Sequence, residues 1–211
     1  MTAVPKRLLT PAEYLARERA AAFKSEFYAG ETFAMAGASY EHTRIADNLV
    51  RLLGVALDGG PCFVLSRDMR VKVSATGLYT YPDVLVVCGR PELEDDQGDV
   101  LLNPRVIIEV LSESTERYDR TTKFDHYRRI PSLQEYVLVA QDVARIERFV
   151  RQPDGPWAHE AFTDPAGTFA LATVPASVRL ADVYRGATLP APPPPPEPVS
   201  PPATARPPRP G

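Results

Sequence analysis

With 211 residues, 44% of them hydrophobic, the chain carries enough apolar material for one domain with a sizeable core and at most a tail. A net charge of -3 and a pI near 5.7 exclude a general polyanion-attracting field, so any nucleic-acid contact must rest on a local basic patch. No apolar run approaches the roughly 20 residues that cross a bilayer. The start Met1-Thr2-Ala3-Val4-Pro5-Lys6 lacks the apolar core of a signal peptide, so a cytoplasmic protein with no membrane partner is expected. Cys62 and Cys88 lie in apolar contexts without CxxC spacing, which reads as a reducing compartment.

Thr10-Pro11-Ala12-Glu13 places a capping hydroxyl, a proline at the first helical position and a glutamate at the third, which predicts a helix to about Phe23. Glu26 to Met35 alternates around Ala29-Gly30 as a short hairpin. A second helix starts after Ser39, with Ile45, Leu49, Leu52, Leu53 and Ala56 on one face, and Gly59-Gly60 ends it. Strands follow near 62–73 and 82–88, then a polar loop over 90–103 and a strand over 105–111. A helix from about Thr115 to Arg129 stops before Pro131. Glu135-Tyr136-Val137-Leu138-Val139 is another apolar strand, 144–150 alternates, and 157–162 pairs with it. The order predicts an α/β sheet flanked by helices, without internal repeats or a Rossmann or P-loop glycine signature. From residue 189 prolines dominate, so 1–188 reads as one domain and 189–211 as a disordered tail, either passive or a ligand for a proline-reading partner.

Two carboxylates stand in the most apolar stretches: Asp83 opens Pro82-Asp83-Val84-Leu85-Val86-Val87, and Glu109 interrupts Val106-Ile107-Ile108-Glu109-Val110-Leu111. An unpaired carboxylate in a buried strand costs several kcal/mol, to an order of magnitude, so a partner must be supplied. Strand alternation puts Glu109 on the face of Ile107 and Leu111. If the two strands are neighbours, both carboxylates converge on a rigid support suited to Mg²⁺ or Mn²⁺. Taken alone, Pro82-Asp83 reads equally as a turn, and Glu109 as the partner of Arg105 or Arg129. Asp119 and Lys123, one helical turn apart, read alone as an exposed salt bridge. His42 falls on the inward line through Ile45 and Leu49, where a lone histidine is ordinarily a hydrogen-bonded core residue. Glu26 and Glu31 flank the hairpin tip, where solvated carboxylates are ordinary.

Taken together, Glu31, His42, Tyr81-Pro82-Asp83, Ile108-Glu109-Val110-Leu111-Ser112, Asp119-Arg120-Thr121-Thr122-Lys123, Tyr127 and Pro131-Ser132-Leu133-Gln134-Glu135-Tyr136 resemble the Uma-two family, a branch of the PD-(D/E)XK nuclease superfamily. The resemblance runs from about Glu26 to Val139 and, more weakly, to Tyr184. It implies a restriction endonuclease-like mixed central sheet flanked by helices. The chain departs from the superfamily pattern at Leu111, which stands where the standard motif has lysine, and the resemblance makes Lys123 the replacement.

The resemblance further implies a Mg²⁺-dependent endonuclease, Mn²⁺ substituting, that hydrolyses DNA phosphodiesters and leaves phosphate on the 5′ side. Asp83 and Glu109 would bind metal, and Lys123, His42 and Glu31 would complete the catalytic set. Phosphate contacts could come from Arg117, Arg120, Arg128, Arg129, Arg145 or Arg67. No helix-turn-helix or zinc-finger pattern offers sequence readout, so specificity would come from elsewhere, a homodimer included. Two rival classes remain: a catalytically weak nuclease-fold module that binds DNA or a partner, and a metal-dependent hydrolase of small phosphate esters.

Overall fold

The computed structural model describes residues 7–190, so the expectation of a disordered tail over 191–211 lies outside the described residues. Helix α1 (Pro11–Glu18) begins as its sequence dictates: Glu13 N donates to Thr10 Oγ1 at 3.2 Å, and Thr10 N donates back to Glu13 Oε2 at 2.9 Å. It stops at Glu18 rather than near Phe23. The Glu18 carboxylate turns inward and accepts from Ser25 N at 2.8 Å and from Tyr81 Oη at 2.9 Å, which draws the chain out of the helix and into the next strand.

That strand, β1 (Ser25–Tyr28), forms the expected hairpin with β2 (Glu31–Ala34), turning through Ala29 and Gly30 at positive φ. Helix α2 (Tyr40–Ala56) is capped by Ser39, whose hydroxyl accepts from His42 N at 3.1 Å. Its buried stripe is Ile45, Leu49, Leu53 and Leu57; Leu52 is half-buried and Ala56 exposed, against the expected set. Full burial of each leucine stabilises the fold by about 1.5–3 kcal/mol.

The region expected as one strand over 62–73 is two, β3 (Cys62–Ser66) and β4 (Arg70–Val73), and it is followed by β5 (Leu78–Thr80) and β6 (Val84–Cys88). The polar loop holds a two-residue strand, β7 (Val100–Leu101). Then come β8 (Val106–Val110), β9 (Glu135–Val139), β10 (Ile146–Val150), β11 (Ala158–Phe162), β12 (Thr168–Ala170) and β13 (Ser177–Arg179). The last two strands escaped the sequence reading because three residues are too few to show a period.

A mixed six-stranded sheet runs β11-β10-β9-β8-β6-β3, in which β8 and β9 are parallel and the other pairs antiparallel. The β8–β9 crossover is helical, built from α3 (Glu116–Tyr118), a π-helical turn (Asp119–Lys123) and α4 (Phe124–Tyr127). One face of the sheet packs on α2, β12, β13 and the C-terminal α5 (Leu180–Val183), through Val106, Ile108 and Val110 against Leu49, Leu53 and Phe169. The other face, with Ile107 and Leu111, packs on Tyr127, Ile130 and Val71. There it meets a second sheet of order β2-β1-β5-β4-β7, backed in turn by Tyr14 and Leu15 of α1 against Phe27 and Tyr79. The fold is restriction endonuclease-like α/β, as expected. No helix among the described residues is long and apolar enough to cross a membrane.

Cys62 and Cys88 are directly opposed in the β3–β6 ladder and joined as a disulfide. This corrects the reading of two separate thiols. Paired register brings their side chains onto one face of the sheet, a proximity that the absence of CxxC spacing concealed.

Candidate active site

Strands β6 and β8 are neighbours with Val84 opposite Ile108, so Asp83, just before β6, comes to the same end as Glu109. Each carboxylate is tied to the other's backbone: Val110 N donates to Asp83 Oδ2 at 2.8 Å, and Asp83 N lies 3.4 Å from Glu109 Oε2. Neither is partnered by the arginines that the sequence offered for Glu109. The conditional convergence of the two carboxylates is therefore realised at the open end of a rigid sheet.

Lys123 completes the group from the crossover. Its Nζ lies 3.0 Å from Glu109 Oε1, 3.3 Å from Glu26 Oε1 and 3.4 Å from Asp119 Oδ1. The reading of Asp119 and Lys123 as an exposed salt bridge is overturned, since both side chains are buried. The π turn that contains them is held from beneath by Tyr136, whose hydroxyl donates to Asp119 O at 3.0 Å. Such turns are frequent where a helix carries functional side chains. Tyr127, one turn further on, donates to Glu109 Oε1 at 2.7 Å.

His42 is held at the start of α2 by the Ser39 cap, and its Nε2 sits 3.2 Å from Asp83 Oδ2, while its buried Nδ1 has no hydrogen-bond partner. It is thus a cleft residue rather than a satisfied core histidine. Register sets Glu31 opposite Tyr28 at the hairpin tip, on the same face as the Glu26–Phe33 pair and two residues beyond it, and Glu26 from this hairpin lies 3.3 Å from the Lys123 ammonium. Phe27 packs inward on Tyr14 and Tyr79, which turns Glu26 to the other face, where Thr80 Oγ1 also donates to it.

These residues line a cleft of about 1150 Å³, bounded on one side by the hairpin and its flanks and on the other by the ends of β6 and β8 and the π turn. Its charges do not balance. One buried ammonium faces Glu26, Glu109 and Asp119 directly, with Asp83 next to Glu109. Burial raises the pKa of Glu109 to about 8; Lys123 opposes the rise, Asp119 and Asp83 add to it, and the Tyr127 hydrogen bond lowers it. Asp119 is raised for the same first reason. Lys123 is held well above its usual range, because the carboxylates outweigh the effect of burial.

Among the described residues no group of three or more His, Cys, Asp and Glu side chains forms a ready-made metal cage. Mg²⁺ does not require one, since it ordinarily takes one or two carboxylates and fills its shell with water and substrate phosphate. Asp83, Glu109 and Asp119 gather carboxyl groups that an added divalent cation could offset, and Asp83 and Glu109 are the pair tied by hydrogen bonds to the backbone of each other's strand end.

Residues 11–182 match the Uma2 family, described as "Putative restriction endonuclease". The chain belongs to the Uma2 family. It is 40% identical over 157 residues to the uncharacterized protein sll1609 of Synechocystis sp., covering 74% of this chain and 89% of that one. It is 38% identical over 149 residues to slr1290 of the same organism, covering 71% and 77%. Its fold is similar to the crystal structure of "a putative nuclease belonging to DUF820" from Anabaena variabilis, with a TM-score of 0.64, 17% identity, and coverage of 82% of this chain and 96% of that one.

The Uma2 match spans every residue of the cluster, including the three that sequence reasoning undervalued, Glu26, Asp119 and Tyr127. Asp119, Lys123 and Tyr127 recur at intervals of four, a spacing that lays three polar side chains along one helical face. Glu26 had a weaker signal, its alternation with the apolar Phe27.

Proposed function

We propose that this Uma2 protein is a divalent-metal-dependent endonuclease that hydrolyses DNA phosphodiester bonds. The observation that carries the reading is the meeting of Asp83, Glu109 and Lys123 at the mouth of an open cleft, with 3.0 Å between the Lys123 ammonium and Glu109. Asp83 and Glu109 would hold Mg²⁺, or Mn²⁺ in its place. When bound there, such an ion supplies polarisation of the scissile phosphate and a lowered pKa for an attacking water.

The chain's own groups do the rest. Lys123, kept cationic by the surrounding carboxylates, orients that water or offsets charge developing on the phosphoryl oxygens. Tyr127 fixes the Glu109 carboxylate in one orientation, and Val110 N fixes that of Asp83. His42, braced on Asp83, presents its ring at the cleft wall to position water or substrate. Glu26 is a hairpin carboxylate against Lys123, and Glu31 keeps in this proposal the part the resemblance implies for it, positioning water or helping to hold the metal. A cytoplasmic setting belongs to the same proposal, and the Cys62–Cys88 disulfide is the feature of the fold that runs against a reducing compartment.

The test is incubation of the purified full chain with supercoiled, linear and single-stranded DNA in Mg²⁺, Mn²⁺ or EDTA, beside Asp83→Ala and Lys123→Ala. Cleavage that needs metal and is lost in both variants supports the reading. A wild type that cleaves nothing, or variants that cleave equally well, would overturn it.

A further inference from the structure

The cleft has two unlike sides. Beside Glu26, the hairpin and its flanks present large apolar side chains to solvent: Phe23 is 85% exposed, Phe33 50% and Met35 38%. Phe33 pairs in register with Glu26 and so shares its face, beside the charged cluster. Met35 N donates to Lys24 O at 3.0 Å, which holds the segment carrying Phe23 alongside the end of β2. Such a grouping at the mouth of a cleft marks a contact surface. Burying these rings in the core would be the stabilising arrangement, yet the fold keeps them outward.

The cations of the cleft are few. Lys123 is taken up by Glu109, Glu26 and Asp119. Lys24 pairs with Asp68 and donates to Arg67 O at 3.0 Å, and Arg67 itself lies 3.7 Å from Asp47. Of the arginines the sequence offered for phosphate contacts, Arg120 and Arg145 are turned to Glu147 and Arg128 to Asp125, and neither Arg117 nor Arg129 is among the residues that line the cleft. A protein that tracks duplex DNA commonly neutralises about 6–10 phosphates, far more than Lys24 and Arg67 can meet here. Stacking on aromatic rings needs no such array and is indifferent to base identity.

We propose that the cleft takes an unpaired nucleotide strand rather than an intact duplex, with bases stacked on Phe23 and Phe33 and phosphates met by Lys24 and Arg67. The inference rests on the nuclease reading and names its substrate class. The charge pattern favours this occupant, because Lys24 and Arg67 line the same cleft as the rings, and their carboxylate partners Asp68 and Asp47 are exposed enough to give way to a phosphate.

The test measures binding of a single-stranded oligonucleotide containing 2-aminopurine, and of the same sequence as a duplex, to the full chain with Ca²⁺ present to balance the carboxylates. The single strand should bind more tightly, with the 2-aminopurine emission quenched by stacking. In the Phe23→Ala/Phe33→Ala double variant that affinity should fall by about tenfold or more, with thermal stability unchanged because both rings are exposed. Equal or tighter duplex binding, or a double variant with unaltered affinity, overturns the inference. So does a double variant that turns a dimer into a monomer without changing oligonucleotide affinity, since a second copy would then be what covers the wall. Cleavage in Mg²⁺ is scored separately. Duplex cutting without single-strand binding removes this inference and leaves the nuclease reading, whereas quenched binding without any cutting removes the nuclease reading and leaves the stacking.

Discussion

Glu109 and Glu135 lie on adjacent parallel strands, β8 and β9, and both side chains are buried, yet they are satisfied in opposite ways. Glu135 accepts from neutral, fixed donors: Ala172 N at 3.0 Å, Thr173 N at 3.1 Å and Thr173 Oγ1 at 3.0 Å. Burial raises its pKa, and those three donors pull it back. It closes the segment before β13 onto the sheet, and its hydrogen bonds come from neutral donors, with Arg148 adding only a smaller lowering of its pKa. Glu109 has Lys123 and Tyr127 on one oxygen, Asp83 and Asp119 close by, and a cleft in front of it. A carboxylate inside an apolar strand therefore does not by itself mark chemistry. Surplus like charge, facing open space and held by rigid backbone, is what separates a reactive position from a packing one.

The largest expected effect breaks the comparison at the lysine. Lys123→Ala should lower DNA cleavage by about 10²–10³-fold, and Glu135→Ala should leave the rate per folded molecule within a few-fold. Because removing a buried partner can unfold a protein, Lys123→Arg, which keeps the charge, is measured beside it, with circular dichroism confirming the fold. Equal losses at Glu135 and Lys123 would erase the distinction between the two sites.

Stability should show the reverse order. Glu135→Ala strands three donors in the interior and should cost about 2–3 kcal/mol in denaturant unfolding. Glu109→Gln should act differently in metal-free protein. A carboxyl whose pKa rises from 4.5 unfolded to about 8 folded contributes stability that is fully present below pH 4.5 and is lost as pH climbs through about 8. The wild type should therefore weaken between pH 5 and 9, with a slope of up to ~1.4 kcal/mol per pH unit, and Glu109→Gln should flatten that slope. Parallel profiles for the two proteins would show that Glu109 is not the titrating group.

Metal affinity sharpens the contrast further. A ligand must be deprotonated to bind, so Mn²⁺ affinity by calorimetry should rise up to about tenfold per pH unit below pH 8 and level off above it. Glu135→Gln should leave that curve in place, and a flat wild-type curve from pH 6 to 9 would exclude Glu109 as a ligand. The smallest effect belongs to Tyr127→Phe. Loss of its 2.7 Å hydrogen bond should cost about 1 kcal/mol and move the Mn²⁺ midpoint to higher pH, because the bond favours the charged carboxylate.

Legibility differed from residue to residue. The period-two pattern of Val106 to Leu111 was enough to put Glu109 on the face of Ile107, and the structure divides the two cores along that line. The capping box at Thr10 and the Ser39 cap set both helix starts, since capping is a local hydrogen-bond problem. Glu135, like Asp83, opens an apolar run, and nothing local announced that residues 172 and 173 would come to meet it. The approach of Glu26 to Lys123 was not legible, because a linear pattern cannot say which hairpin carboxylate reaches a lysine nearly one hundred positions away. The cysteines were misread for the same reason.

Taken alone, the amino-acid order determined where the helices start, where the longer strands run, and which face of β8 carries Glu109. These follow from side-chain periodicity and from short-range hydrogen bonds, which act over a few residues. The tertiary structure decided that Asp83 and Glu109 share an edge, that Lys123 and Asp119 are inside rather than on the surface, and that Glu26 joins them. It decided as well that two phenylalanines stand open in the cleft. Each of these depends on which strands become neighbours, and strand order is settled by burial of whole faces rather than by any local pattern.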